Sequence, residues 1–322
     1  MKGDPILTVV GPVYNEKDSL PLFHERLTRT LRGLDLAFEI IYVDDGSRDG
    51  SAEYLRRLVE KEPSVKVIHF SRNFGHQLAI TAGMDHASGQ ACVVMDTDGQ
   101  DPPELIGAMV EAWRKGSEVV YAVRTTRQGE SLFKRATAAI FYRLMRRMTQ
   151  VDIPLDAGDF RLLDRKVLDA MQRMRETNRF MRALTSWVGF RQTPIEYARQ
   201  PRLGGETHYP FLSMLSFAMD GITSFSRKPL RWVSLCGLSC CALSIALWFW
   251  VLYIKIFNPE AVQGWTSMMG IMLLLGGIQL LAIGIIGEYI GRIFDEVKQR
   301  PLYIVREFSG LAPDPPGDER LH

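Results

Sequence analysis

Residues 91–103 read ACVVMDTDGQDPP, an apolar run that ends abruptly on acidic residues. The apolar residues up to Met95 predict a buried strand, and the two prolines that close the stretch suit the first turn of a following helix. Asp96 and Asp98 offer the oxygen ligands that a hard divalent cation prefers, and such a cation binds a diphosphate. Because an Asp-x-Asp pair is common in loops, its meaning depends on the segments around it.

Apolar runs alternate with helical patterns through the first half of the chain. Further strands are predicted at 6–13, 38–43, 65–70 and 118–123. Uninterrupted Val and Ile runs between helices indicate an α/β domain, in which helices cover both faces of a mostly parallel sheet. Ligands of such sheets bind at the carboxyl ends of the strands. The polar residues at those ends are Tyr14, Asn15, Asp44, Asp45, Asp96 and Asp98.

These strand ends favour a nucleoside diphosphate as the ligand. Tyr14 is suited to stack on a nucleobase, and the Asp45 carboxylate is suited to accept a hydrogen bond from a ring N–H. The sequence contains neither of the two common glycine-rich phosphate loops, the Walker pattern and the dinucleotide pattern. A metal ion and basic side chains are therefore expected to neutralise the diphosphate.

The C-terminal third is predicted to enter a membrane. Residues 232–254 and 265–287 carry no charge, and each run is long enough to span a bilayer. Basic residues precede the first run and follow the second, which predicts that both ends are cytoplasmic and the short loop is outside. We predict a cytoplasmic domain at 1–209, an interfacial helix and basic linker at 210–231, two transmembrane helices at 232–291 and a cytoplasmic tail at 292–322.

Charge and cysteine content exclude other classes of function. The formal net charge of +2 is too small for a general nucleic-acid binder. None of the four cysteines has the spacing of a zinc knuckle or a redox motif. Likewise, His24, His69, His76 and His86 lack metal-site spacing and are interpreted as surface or packing residues.

Five motifs together resemble a known enzyme family. They are PVYNE at 12–16, VDDGS at 43–47, RNFG at 72–75, DTDGQDPP at 96–103 and GDFRL at 158–162. The set resembles the inverting family 2 glycosyltransferases, and within them the polyprenyl-phosphate group of bactoprenol glucosyltransferases and dolichol-phosphate mannose synthases. The segment IGEYIGR at 286–292 is similar to the bactoprenol branch. The resemblance implies a Rossmann-like GT-A fold and covers nearly the whole chain.

The resemblance also implies site roles. It implies transfer of one sugar, with glucose from UDP-glucose the best match, onto undecaprenyl phosphate at the cytoplasmic membrane face. The residues implied for the nucleotide are Pro12, Tyr14, Glu16, Asp45 and Asp96. The residues implied for Mg²⁺ or Mn²⁺ are Asp98, Gln100 and Asp96. Asp98 and Asp159 are the expected catalytic residues, with Asp159 orienting the acceptor or acting as a weak base. The residues implied for the acceptor phosphate are Arg124, Lys134, Arg135 and Arg202.

Several alternatives stay open at this stage. The donor sugar could instead be UDP-amino-arabinose, a UDP-N-acetylhexosamine or GDP-mannose. A processive polysaccharide synthase is a rival enzyme, although the chain lacks the Gln-x-x-Arg-Trp motif of that class. A non-catalytic membrane scaffold is a rival of another class. Gly287 and Gly291 form a small-xxx-small pair of the kind that packs helices or protomers. This pair and the resemblance to the polyprenyl-phosphate group lead us to expect a homo-oligomer.

Overall fold

The computed structural model describes residues 5–124, 157–197, 228–257 and 264–311. These residues fall into two compact units. The first contains residues 5–124, 157–197 and 299–311, and the second contains residues 228–257 and 264–298. The chain therefore leaves the first unit, forms the second and returns to the first.

An eight-stranded sheet forms the centre of the first unit. Its strands are β1 Leu7–Val13, β2 Phe38–Asp44, β3 Val65–Phe70, β4 Ala91–Val94, β5 Val119–Arg124, β6 Ala157–Asp164, β7 Gln192–Tyr197 and β8 Val305–Ser309. Their order across the sheet is β7-β5-β6-β4-β1-β2-β3-β8. β6 and β8 pair antiparallel with their neighbours, and every other pairing in this sheet is parallel. The mostly parallel sheet that the apolar runs predict is confirmed.

Helices cover both faces of this sheet. They are α1 Leu20–Arg32, α2 Ser51–Lys61, α3 His76–Asp85, α4 Ile106–Arg114, α5 Arg165–Gln172 and α6 Met181–Trp187, with a short 3-10 turn at Pro103–Leu105. Side chains alternate across β1, so Leu7 and Val9 join the core with Phe23 of α1. Val10 points to the other face and lies under α3, where a Cβ added to Gly83 would stand 2.2 Å from Val10 Cγ1. Glycine at this position lets α3 approach the sheet closely.

The segment after the second unit returns to the sheet as β8, a strand that the sequence analysis did not predict. β8 pairs antiparallel with β3, with Phe308 opposite Ile68. Just before it, Tyr303 stacks on Phe70 with ring centroids 5.2 Å apart, and its hydroxyl donates to Asp85 Oδ2 over 2.9 Å. These contacts fix the end of the returning segment to the first unit.

The second unit contains two long helices. They are α7 Lys228–Phe257 and α8 Trp265–Val297. Within them, Trp232–Trp250 and Leu274–Val297 are long and apolar enough to cross a membrane, with mean hydropathies of 1.8 and 1.6. Large apolar side chains along both helices are exposed, for example Leu238 and Leu280.

Candidate active site

The predicted polar residues meet at the carboxyl edge of the sheet. β1 ends at Val13 and β2 at Asp44, and β4 ends at Val94 just before the Asp-x-Asp pair. The Thr97 hydroxyl, between the two aspartates, donates to the carbonyl oxygen of Pro12 over 2.8 Å. This hydrogen bond ties the loop after β4 to the end of β1.

The loop after β1 is held against the loop after β2. Asn15 adopts a positive φ of 54°, and its Oδ1 accepts a hydrogen bond from the Arg48 N–H over 2.9 Å. The N–H of Glu16 donates to Ser51 Oγ over 3.0 Å, and the Glu16 carboxylate accepts a short hydrogen bond from the Ser19 hydroxyl. Tyr14, by contrast, is 48% exposed. The loop backbone is thus fixed while an aromatic ring is open to a stacking ligand.

Asp45 supports the loop that carries Arg-Asn-Phe-Gly. Its carboxylate accepts hydrogen bonds from the backbone N–H groups of Phe74, at 2.6 Å, and Gly75, at 2.9 Å. Burial raises the pKa of Asp45, and these two hydrogen bonds oppose that effect. Because a carboxylate has about four acceptor positions, a nucleobase contact remains chemically open, and that role stays a prediction.

Asp96 and Asp98 lie in different environments. Asp98 Oδ1 accepts a hydrogen bond from the Gln100 N–H over 3.0 Å. Asp96 Oδ1 is buried and makes no hydrogen bond, although it lies 3.3 Å from His76 Nε2. Burial raises the pKa of Asp96 to about 6; Asp101, Asp159 and Asp98 add to the shift and His76 opposes it.

These residues suit a divalent cation. In the part of the chain that the structure describes, no three His, Cys, Asp or Glu side chains form a ready-made metal cluster. The buried Asp96 Oδ1 makes no hydrogen bond and is thus an oxygen available to a cation, and the Gln100 side chain is buried two positions after Asp98. Diphosphate-bound Mg²⁺ or Mn²⁺ needs one or two protein carboxylates, because phosphates and waters fill its other positions. The residues present therefore fit such an ion.

Asp159 lies at the same edge because β6 runs opposite to β4. Its carboxylate is 8% exposed in side-chain area and has three polar neighbours. Oδ1 accepts from Arg182 Nε over 3.1 Å, and Oδ2 accepts from Gln77 Nε2 over 3.0 Å and lies 3.5 Å from His76 Nε2. Burial by itself raises the pKa of Asp159, but the His76 hydrogen bond and the Arg182 and Arg161 charges outweigh it. The pKa consequently lies well below its usual range.

Three of the residues around Asp159 were not predicted from the sequence. His76 was interpreted as a surface or packing residue, yet it stands between Asp96 and Asp159. Gln77 links two elements, since its Oε1 also accepts from the Met181 N–H over 2.9 Å. A signal existed for both, because they directly follow Arg-Asn-Phe-Gly at the carboxyl edge. Arg182 carried no such signal.

The predicted acceptor-phosphate residues are placed only in part. Arg124 is the last residue of β5 and is paired with Tyr197 in the register with β7. Lys134, Arg135 and Arg202 lie outside the described residues. Their role therefore stays a prediction.

Comparison with known proteins shows the family. Residues 8–171 match the model described as glycosyl transferase family 2, and residues 228–293 match that of the GtrB C-terminal hairpin. The chain is 54% identical to "Uncharacterized glycosyltransferase YkcC" of Bacillus subtilis, over 94% of each chain. It is 37% identical to "Prophage bactoprenol glucosyl transferase homolog" of Escherichia coli, over 93% of this chain and 98% of the relative. It is also 37% identical to "Bactoprenol glucosyl transferase" of Shigella phage SfII, over 94% and 97%. The chain is therefore a glycosyltransferase of family 2 with a GtrB-type C-terminal hairpin.

Proposed function

We propose that this glycosyltransferase moves one glucose from UDP-glucose onto undecaprenyl phosphate at the cytoplasmic face of a membrane, with inversion at the anomeric carbon. The observation that carries the proposal is the 37% identity to proteins named bactoprenol glucosyl transferase, which extends over 93% of the chain. That similarity includes the two-helix hairpin as well as the catalytic unit.

The environment of Asp159 supports a phosphate as the acceptor. Both of its oxygens already accept hydrogen bonds, from Arg182 and Gln77, and its pKa is lowered. A carboxylate held in this way is a poor general base, because it binds a proton weakly. An alcohol acceptor needs such a base, whereas a phosphate monoester has its second pKa near about 6 and arrives largely dianionic. Asp159 then serves to orient groups at the reacting centre.

The reaction is a single displacement. Tyr14, Pro12, Glu16 and Asp45 bind the nucleoside, and this leaves the sugar facing Asp159. A phosphate oxygen of the acceptor forms a bond to the anomeric carbon as the bond from that carbon to the diphosphate oxygen breaks, and UDP leaves. Asp96, Asp98 and Gln100 would hold Mg²⁺ or Mn²⁺, and such an ion would offset the negative charge on the departing nucleotide.

The path of the chain supports a membrane hairpin with both ends on one side. α7 and α8 are each long enough to span a bilayer. The chain enters α7 after the first unit and returns to that unit at β8. A return to the first unit is consistent with two crossings, and the basic residues that flank the apolar runs favour a cytoplasmic position for both ends. Arg124, Lys134, Arg135 and Arg202 then supply positive charge for the lipid phosphate.

Label transfer from a panel of nucleotide sugars tests this proposal. Purified full-length protein in detergent is incubated with undecaprenyl phosphate, Mg²⁺ or Mn²⁺ and one labelled donor: UDP-glucose, UDP-N-acetylglucosamine, UDP-amino-arabinose or GDP-mannose. We expect organic-phase label from UDP-glucose, and loss of that label with EDTA. Organic-phase label from a different donor alone would refute glucose as the sugar.

A substitution at Asp98 tests the assignment of the metal ligands. Asp98→Ala should abolish transfer because it removes a metal ligand beside the diphosphate. Asp169→Ala is the matched control, since the one ion pair of Asp169 with a described residue is to Arg165 on the exposed side of α5, at 2.8 Å. Transfer by Asp98→Ala at the rate of Asp169→Ala would contradict the assignment.

A further inference from the structure

Arg182 offers unused hydrogen-bond donors beside the reacting centre. It is the second residue of α6, and its Nε donates to Asp159 Oδ1 over 3.1 Å. Within the described ranges, its two terminal nitrogens make no hydrogen bond, and its side chain is 28% exposed. A guanidinium has five N–H donors in a fixed fork, so four of them make no hydrogen bond to the described part of the chain.

The contacts of Asp159 place Arg182 away from the Asp-x-Asp pair. His76 Nε2 stands 3.3 Å from Asp96 Oδ1 and 3.5 Å from Asp159 Oδ2. Arg182 contacts the other oxygen of Asp159, Oδ1. The groups therefore run in the order Asp96, His76, Asp159 and Arg182. In the proposed reaction Asp96 is at the donor diphosphate, and Arg182 contacts Asp159 on the oxygen that does not face His76, which suits a residue on the acceptor side.

We propose that Arg182 binds the phosphate of the acceptor through its two terminal nitrogens while Asp159 holds its Nε. This inference rests on the proposed function. Arginine is suited to the task because its planar fork binds two phosphate oxygens at once. The Asp159 contact fixes the side chain before the ligand arrives, so less conformational entropy is lost on binding. The guanidinium also offsets the Asp159 charge, which would otherwise repel an anionic acceptor.

Direct binding of a short acceptor tests the inference without turnover. Full-length protein in detergent is titrated with farnesyl phosphate, and with farnesol as the ligand that lacks a phosphate. We expect Arg182→Ala to bind farnesyl phosphate at least tenfold more weakly than wild type, with farnesol binding unchanged. Arg182→Lys should lie between the two, because lysine keeps the charge and loses the fork.

Arg175→Ala is the matched control for loss of structure. Arg175 pairs with Asp85 at the far end of α3 over 2.8 Å, and its side chain is 21% exposed. This variant removes a similar arginine–aspartate pair, so it should lower the melting temperature by about as much as Arg182→Ala does. Its affinity for farnesyl phosphate should stay within twofold of that of wild type. Should Arg182→Ala fail to fold, the affinity of Arg182→Lys decides the question.

The outcomes separate the two proposals. If wild type binds farnesyl phosphate and the Arg182 variants bind it equally well, the inference about Arg182 is wrong and the proposed function stands. If wild type does not bind farnesyl phosphate, the inference about Arg182 is overturned, and label transfer to undecaprenyl phosphate decides the proposed function separately. In steady-state assays, a rise in KM for UDP-glucose instead of undecaprenyl phosphate would place Arg182 at the donor diphosphate and overturn the inference.

Discussion

Gln77→Glu changes one amide nitrogen to a carboxylate oxygen at the centre of the site. In the wild type, Gln77 Nε2 donates to Asp159 Oδ2 over 3.0 Å. The substitution keeps the shape of the side chain and the acceptor oxygen that faces Met181. It removes the donor and sets a second carboxylate against the first.

The loss of folding stability caused by Gln77→Glu is set by the smaller of two energies. One is the repulsion between the two carboxylates, and the other is the free energy of protonating one of them. Two unit charges 3.0 Å apart repel by about 5.5 kcal/mol at an effective dielectric constant of about 20. Binding a proton to a glutamate of ordinary pKa, about 4.3, costs about 4 kcal/mol at pH 7. The pair therefore takes up a proton, and the protonated oxygen restores the hydrogen bond. Nearby Arg182 and His76 lessen the repulsion, so about 4 kcal/mol is the upper bound at pH 7.

The uptake of this proton determines how the stability of Gln77→Glu changes with pH. The pKa of the carboxyl pair is raised in the folded state above its unfolded value, so the variant is least destabilised below about pH 4.3. Its deficit grows as the pH rises, to about 1.6 kcal/mol at pH 5.5 and about 4 kcal/mol at pH 7 and above. For a chain of this size, that corresponds to a fall in melting temperature of roughly 10 °C at pH 7.5 and roughly 4 °C at pH 5.5.

Thermal unfolding of the full chain in detergent, followed by tryptophan fluorescence at pH 5.5 and 7.5, measures these deficits. Gln77→Met is the control, because it removes the same hydrogen bonds without adding a titratable group. Its deficit relative to wild type should be the same at both pH values. A Gln77→Glu deficit that is equally independent of pH would refute the placement of Gln77 against Asp159.

Two further predictions concern the packing of the first unit. Gly83→Ala should destabilise the protein by about 1–3 kcal/mol, because its Cβ would lie 2.2 Å from Val10 Cγ1; a melting temperature equal to that of wild type would contradict the close approach of α3. Tyr303→Phe should cost about 1 kcal/mol, because it loses the hydrogen bond to Asp85 and keeps the ring, whereas Tyr303→Ala should cost about 3–5 kcal/mol because it also loses the stack on Phe70. Equal losses in chemical denaturation would show that the stack is absent.

Five of the eight strands described for the first unit, β1 to β5, were predictable from the sequence, because they are apolar runs between helices. The run at 38–43, for example, became Phe38–Asp44, and the run at 91–95 became Ala91–Val94. In such strands every side chain faces a helix, so continuous apolar runs mark them clearly. The same apolar runs also predict where the site lies, because the carboxyl ends of parallel strands meet at one edge of the sheet.

β8 could not be predicted in the same way. It is a five-residue edge strand, VREFS, in which apolar Val305 and Phe308 flank the charged Arg306 and Glu307. Charged residues are typical of edge strands, where they discourage pairing between molecules. Such a short mixed segment gives little periodicity, and its pairing with β3 joins residues more than 200 positions apart in sequence.

The surroundings of Asp159 were unpredictable for a different reason. The sequence identified this residue through the motif GDFRL, but its partners come from two other elements. Gln77 is 82 positions before it and Arg182 is 23 positions after it. Only the antiparallel placement of β6 brings the start of α3 and the start of α6 together at one carboxylate. No spacing rule connects such residues.

The choice of acceptor tests the central claim most directly. Purified wild type with Mg²⁺ and labelled UDP-glucose is given undecaprenyl phosphate in one reaction and undecaprenol, which differs only in lacking the phosphate, in the other. Our account predicts organic-phase label with undecaprenyl phosphate and none with undecaprenol, because Asp159 is too weak a base to activate an alcohol. Label on undecaprenol, or label on neither lipid from a folded enzyme that binds UDP-glucose, would contradict the account.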